Sequence, residues 1–278
     1  MIKSGAPHIR GENSVPRIMW TVVLALVPAV VAFIFVSGFS AFRIFVVSSA
    51  SALLAEMGIW KLRAKRATLY DGSALLTSIL FALFLPADLA SWKVALGSAF
   101  GIIFGKQVFG GLGQNPFNPA LVGCAFVFAA FPASISAFRE SLGALHSTSL
   151  ASAILLGGLA LLLMRLIHWE IPLLYLGGYA LFCLALGYEA GEKVLDWPIL
   201  LGAFFLVTDP VTTPLTRMGE QWFALGAGIL SALFAASLNP FQGITYAVLW
   251  MNALNPWLDR EFRPSRARSV YGLRPLPG

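Results

Sequence analysis

The chain has 278 residues, 58% of them hydrophobic and only 12% charged, with mean hydropathy +0.79. A soluble domain carries about 25% charged residues, so this composition excludes an ordinary globular protein. The net charge of +6 would suit nucleic acid in a polar chain; in one this apolar it points to a basic surface facing membrane lipid. Cys124 and Cys183 both lie inside apolar runs, and two thiols cannot build a four-thiolate iron–sulfur or zinc centre within the chain. Redox chemistry here would need an organic cofactor or a partner's metal.

The length predicts a single polytopic domain, 1–278, with about ten helical spans of roughly 20 residues. The first 16 residues are polar, and the apolar run from Ile18 to Phe39 is too long for a signal-peptide core, so it is the first span. The others are predicted at 42–60, 72–88, 94–110, 119–137, 151–168, 171–188, 195–208, 221–237 and 241–256, with Pro198 inside the short eighth. With the N-terminus cytoplasmic, 15 of the 19 basic residues fall on the inner side; Arg43, Lys93, Arg139 and Lys193 fall on the outer. Lys and Arg accumulate in cytoplasmic segments, so both termini are expected inside. The tail over 257–278 is basic but lacks the interleaved aromatics of a nucleic-acid binder, and suits anionic lipid or a cytoplasmic partner.

An internal echo accompanies the ten spans. Asn115-Pro116-Phe117 precedes span five and Asn239-Pro240-Phe241 precedes span ten, 124 residues later, and the same offset carries Pro86 onto Pro210. Five spans is an odd number, so two such halves, about 17–137 and 151–256, would run oppositely through the bilayer. That is a transporter-like inverted repeat.

Acids inside apolar spans are costly and point to function. Glu56, among Leu53, Leu54, Met57 and Ile59, is the first candidate for an ion path. Asp209 and Asp259 end spans eight and ten; they are further ion-path candidates, or else solvated span ends paired with Arg217 or Arg260. His146 and His168 fall on opposite sides with no Cys or second His nearby, so no metal site is expected. The stretch Lys106–Ala120 holds Gly110, Gly111 and Gly113, which permit positive φ, and Pro116 and Pro119, which forbid a continuous helix. Non-helical backbone at membrane depth must be buried in protein or line a cavity, where it can meet an aromatic ring or an ion; a tight cytoplasmic turn is the other use. No following Lys-Ser or Lys-Thr makes Gly110–Gly113 a phosphate loop.

Four ordered motifs carry a family resemblance: Asp71-Gly-Ser-Ala74 opening a span that ends Leu85-Pro86, Lys106–Ala120, Val207-Thr-Asp-Pro-Val-Thr-Thr-Pro214, and Tyr246–Arg260 with Met251-Asn-Ala-Leu-Asn-Pro-Trp-Leu-Asp259. Together they resemble the Rnf D subunit and the B subunit of the sodium-translocating NADH:quinone reductase. The resemblance implies an all-α inverted-repeat membrane fold similar to urea transporters. It also implies a prokaryotic inner-membrane location and flavin-borne electron transfer coupled to Na⁺ or H⁺ movement. The implied partners are an external flavin subunit and iron–sulfur subunits. The implied cofactor is FMN, with riboflavin as a possible second, and the implied contacts are Lys106, Gly111, Asn115, Asn118 and Thr212. The family attaches FMN to a threonine ahead of a span. The matching place is Leu145-His-Ser-Thr-Ser-Leu-Ala151, with Thr148 as the acceptor and Ser147 beside it, although His146 and Ser147 replace the family's glycine and alanine. Without a flavin, Thr148 would serve as the N-cap of span six, and the fold would suit a solute channel.

Overall fold

The computed structural model describes residues 14–63, 69–136, 144–187 and 194–263, and among them every regular element is helical. The first helix, α1 (Val15–Arg63), would be about 74 Å long if straight, more than twice a bilayer core. It is not straight. Gly38, at φ 65°, breaks it, and the rings of Phe33 and Phe45 meet at 5.9 Å where a straight helix would hold their backbones about 18 Å apart. The chain therefore folds back at Gly38, which divides α1 where spans one and two were predicted to meet. By length and composition, Val15–Leu62 is the described helix able to cross a membrane.

A 3₁₀ turn (Leu69–Asp71) leads into α2 (Ser73–Leu83). Then come α3 (Ser91–Phe100), which continues as a π-helical segment over Gly101–Gln107, α4 (Pro119–Ala130) and α5 (Pro132–Ser136). The second half holds α6 (Ala144–Leu163), α7 (Glu170–Ala185), α8 (Trp197–Leu201) with its π segment Gly202–Leu206, α9 (Arg217–Ser237) and α10 (Pro240–Glu261). Helices lie within a few residues of the predicted ranges, apart from the sixth, which begins about seven residues early. Spans three and eight are the short ones: α2 is about 16 Å long, and α8 with its π segment about 15 Å, each roughly half a membrane.

These two short helices meet aromatic neighbours at one end. Phe84, just past α2, stands edge-on to Phe241 at 5.7 Å; Trp197, the first residue of α8, meets the same ring at 5.1 Å and Phe33 at 6.2 Å. So α2 runs toward this cluster and α8 away from it. Their opposite ends, Ser73 and Thr208–Asp209, share one cleft.

Glycine sets the closest approaches. A Cβ on Gly157 would sit 2.1 Å from the Ala25 carbonyl oxygen, and one on Gly228 would sit 2.1 Å from that of Tyr175. Bare glycine thus lets α6 close on α1 and α9 close on α7, as small residues do in membrane bundles.

The echo between the halves takes a corrected form. The side chain of Asn239 caps α10 by accepting from Gln242 N, but α4 is capped by Asn118, which accepts from Ala120 N and Leu121 N. The equivalent of Asn239-Pro240 is therefore Asn118-Pro119, not Asn115-Pro116, an offset of 121 residues. At that offset Pro86 and Pro210 no longer coincide.

Candidate functional site

The cleft between α2 and α8 has about 710 Å³ including its open mouth, within the roughly 300–1,000 Å³ typical of small-molecule sites. Its walls are apolar, with Ile18, Met19, Leu76, Ile167, Phe204 and Phe205 among them; its polar groups are Ser73, Thr77, Lys106, Asn115, Asn118, Thr208 and Asp209. Apolar walls with a few convergent polar atoms suit an aromatic ligand with polar edges.

Lys106 and Glu56 share one polar knot. Lys106 Nζ donates to Glu56 Oε1 at 2.7 Å and to Ser73 Oγ at 2.6 Å, while Gln107 Nε2 donates to the same Glu56 oxygen at 2.9 Å. Ser73 Oγ in turn donates to Asp71, and Ser73 N donates to Asp71 Oδ1 at 2.8 Å. Adjacent residues of an α-helix point about 100° apart; the wider π segment carries Lys106 and Gln107 to one oxygen. Both members of the ion pair are 1% exposed, and Ala52, Ala74 and Ile102 form a small apolar core among these same elements. An ion pair this dry gains little over an apolar pair of equal size, but losing one partner costs about 3–5 kcal/mol.

Asp209 is the second hub. Asn118 Nδ2 donates to its Oδ2 at 3.2 Å, Thr212 Oγ1 to the same atom at 3.0 Å, and Val211 N to Oδ1 at 3.1 Å. Burial pushes the Asp209 carboxyl above the usual carboxylate range, and these three donors pull it back. Asn252 Oδ1 accepts from Asn118 N, and Asn252 Nδ2 and Asn255 Nδ2 both donate to the Thr212 carbonyl. Residues of three of the four motifs thus meet at one seam, and the fourth, through Ser73, lines the same cleft.

Asn115 lines that cleft too. Its Nδ2 donates to the Phe117 carbonyl at 3.2 Å, while its buried Oδ1 has no protein partner. A buried acceptor left without a donor is costly, and a ligand N–H would satisfy it. With the Lys106 ammonium in the same wall as a donor, the lining fits the alternating donors and acceptors of an isoalloxazine edge.

Other predicted residues lie elsewhere. Asp259 Oδ1 accepts from Leu215 N at 2.7 Å and so holds the loop before α9. Arg217, offered as a partner for the acids, pairs with Glu170, and His168 lies 3.2 Å from Glu220. Gly111 is buried at φ 105° and shapes the loop without lining the cleft. Thr148 is exposed within α6, which starts at Ala144, so the N-cap role does not hold. It is about 20 Å along the helix from Leu161, which lines the cleft. Ser147 lies in α6 with its side chain outside the described residues, as does that of His146.

A family model described as NQR2, RnfD, RnfE matches residues 2–150 and 137–268. The chain belongs to this family. The D subunit of a proton-translocating ferredoxin:NAD(+) oxidoreductase complex from Clostridium ljungdahlii is 33% identical, over 94% of each chain. Its counterpart in the Na(+)-translocating complex from Acetobacterium woodii is 32% identical over 97% of this chain and 95% of its own. The D subunit of an Escherichia coli ion-translocating oxidoreductase complex is 32% identical over 98% of each. Ser73, Lys106, Asn118, Asp209 and Asn252, all within the four quoted motifs, build the cleft and its seam. Ser73, Gln107, Asn252 and Asn255 carry site roles that sequence reasoning had not assigned individually, although all four lie within its quoted motifs.

Proposed function

We propose that the chain is the D-type membrane subunit of an ion-translocating electron-transport complex, with the cleft between α2 and α8 as a flavin chamber. The observation that carries this reading is the convergence of the family's motifs on a cleft with an unsatisfied buried acceptor and a buried ammonium. Bound there, a flavin would supply the electron chemistry. Asn115 Oδ1 would accept its ring N–H, Lys106 would offer charge to its acceptor edge, and the apolar walls would exclude water. The fold would be ten spans in two inverted halves, a reading supported by the fold-back at Gly38, the paired Asn-Pro caps and the two half-length helices. Glu56 and Asp209 would lie on the ion path. Electrons would pass between an external flavin subunit and iron–sulfur partners in a prokaryotic inner membrane.

The purified protein, made with its partners, is expected to show flavin absorption bands. A colourless preparation would favour a solute channel on the same fold. FMN bound to the Thr148 hydroxyl would give a fluorescent band on a denaturing gel, dark in Thr148→Val; a dark unmutated band would rule out covalent attachment. Orientation is tested by cysteine labelling at two exposed positions. From outside, Asp88→Cys should react and Lys61→Cys should not, and the reverse pattern would invert the topology.

A further inference from the structure

Lys106 faces two places at once. Its ammonium is bonded to Glu56 and Ser73, and the residue also lines the cleft, whereas Glu56 does not. Among the described residues, the charged groups bonded to Glu56 or to its partners include Lys106 on the π segment and, behind Ser73, Asp71 on the 3₁₀ turn. The oxygens gathered here are those of a carboxylate and a hydroxyl, with the Gln107 amide N–H donating to the carboxylate. Oxygen donors of these kinds hold hard monovalent cations, and a carboxylate also takes a proton. An ammonium is one such +1 partner, differing in being tied to the chain.

We propose that Lys106 is a tethered cation that holds the Glu56–Ser73–Gln107 site against external cations. When the occupant of the cleft becomes anionic, Lys106 turns to it, and a proton or Na⁺ takes its place beside Glu56. The charge balances. One electron, delivered by a reduced flavin or iron–sulfur donor, adds one negative charge to the cleft; Lys106 meets it, and one cation from water neutralises Glu56. Only what draws Lys106 away rests on the cofactor reading above. The displaceable site belongs to the chain itself.

The test uses the full chain with its copurifying subunits. In Lys106→Met, Tm should rise by about 3 °C or more when NaCl replaces choline chloride at equal ionic strength, if the site takes Na⁺. If it takes a proton, Tm should rise similarly as pH falls, because protonation removes a stranded buried charge. Lys106→Met/Glu56→Gln should respond to neither. A single variant indifferent to both, or a double variant that responds equally, overturns the proposal. So does a single variant that folds in neither condition while the double variant folds. A second measurement needs no change at Lys106: the midpoint potential of bound flavin should rise with Na⁺, or with falling pH more steeply than the flavin's own proton uptake requires, in the unmutated protein, and this extra dependence should vanish in Glu56→Gln. Persistence of the extra dependence in that variant also overturns the proposal. Flavin content of the same preparations reports separately on the chamber, so the two failures are distinguishable.

Discussion

Truncating Glu56 to alanine is expected to destabilise the extracted protein by about 3–5 kcal/mol, because it strands the Lys106 ammonium in a dry interior. Lys106 and Glu56 are each 1% exposed, and Ser73 Oγ alone cannot replace a carboxylate as the ammonium's partner. Glu56→Ala/Lys106→Met should lose much less than the two single losses added, since it removes both charges together. Thermal unfolding of the four proteins gives the coupling, expected at about 2 kcal/mol or more for groups in direct contact. A Glu56→Ala loss below about 1 kcal/mol would mean that water reaches the pair, as at an exposed one.

Gly157→Val should be as damaging by a different route. The new Cβ would lie 2.1 Å from the Ala25 carbonyl oxygen and 3.2 Å from the Phe205 ring. The first neighbour is backbone and has no rotamer to change, so α6 must move off α1. Overpacking typically costs about 1–3 kcal/mol, and this case belongs at or above that upper end. Because Phe205 also lines the cleft, flavin retention should fall together with Tm. Gly177→Val is the control: a Cβ there meets nothing within 4 Å, so the change should cost only a few tenths of a kcal/mol.

Most of the helices were legible in the sequence because apolar runs of membrane length have few other uses. Where the prediction missed, a local signal was weak or ambiguous. Helix α6 starts at Ala144, well ahead of the apolar run that marks its span. Two Asn-Pro pairs stand three residues apart at 115–119, and only the second provides a cap; spacing alone could not choose between them. The cleft was legible as motifs but not as contacts. Glu56 stands out for its cost in an apolar run, yet its partner Lys106 lies 50 residues away, in a motif whose resemblance points to a cofactor contact. The usable signal was that two opposite charges, each in apolar surroundings, have reason to meet. Asp259 shows the converse: an acid at a helix end can serve a neighbouring loop, here at Leu215 N.

The two π segments, Gly101–Gln107 and Gly202–Leu206, hold i→i+5 bonds from Val108 N to Ile103 O and from Val207 N to Gly202 O. Geometrically, such a turn is an α-helix carrying one additional residue. What aims Lys106 and Asp209 is therefore the number of residues before them as well as their identity. Adding one more codon between 101 and 105, taken up as an ordinary α-helical residue, would swing Lys106 by about 100° away from Glu56, although the knot's own side chains would all still be encoded. Along these stretches the gene should tolerate conservative substitution better than any added residue.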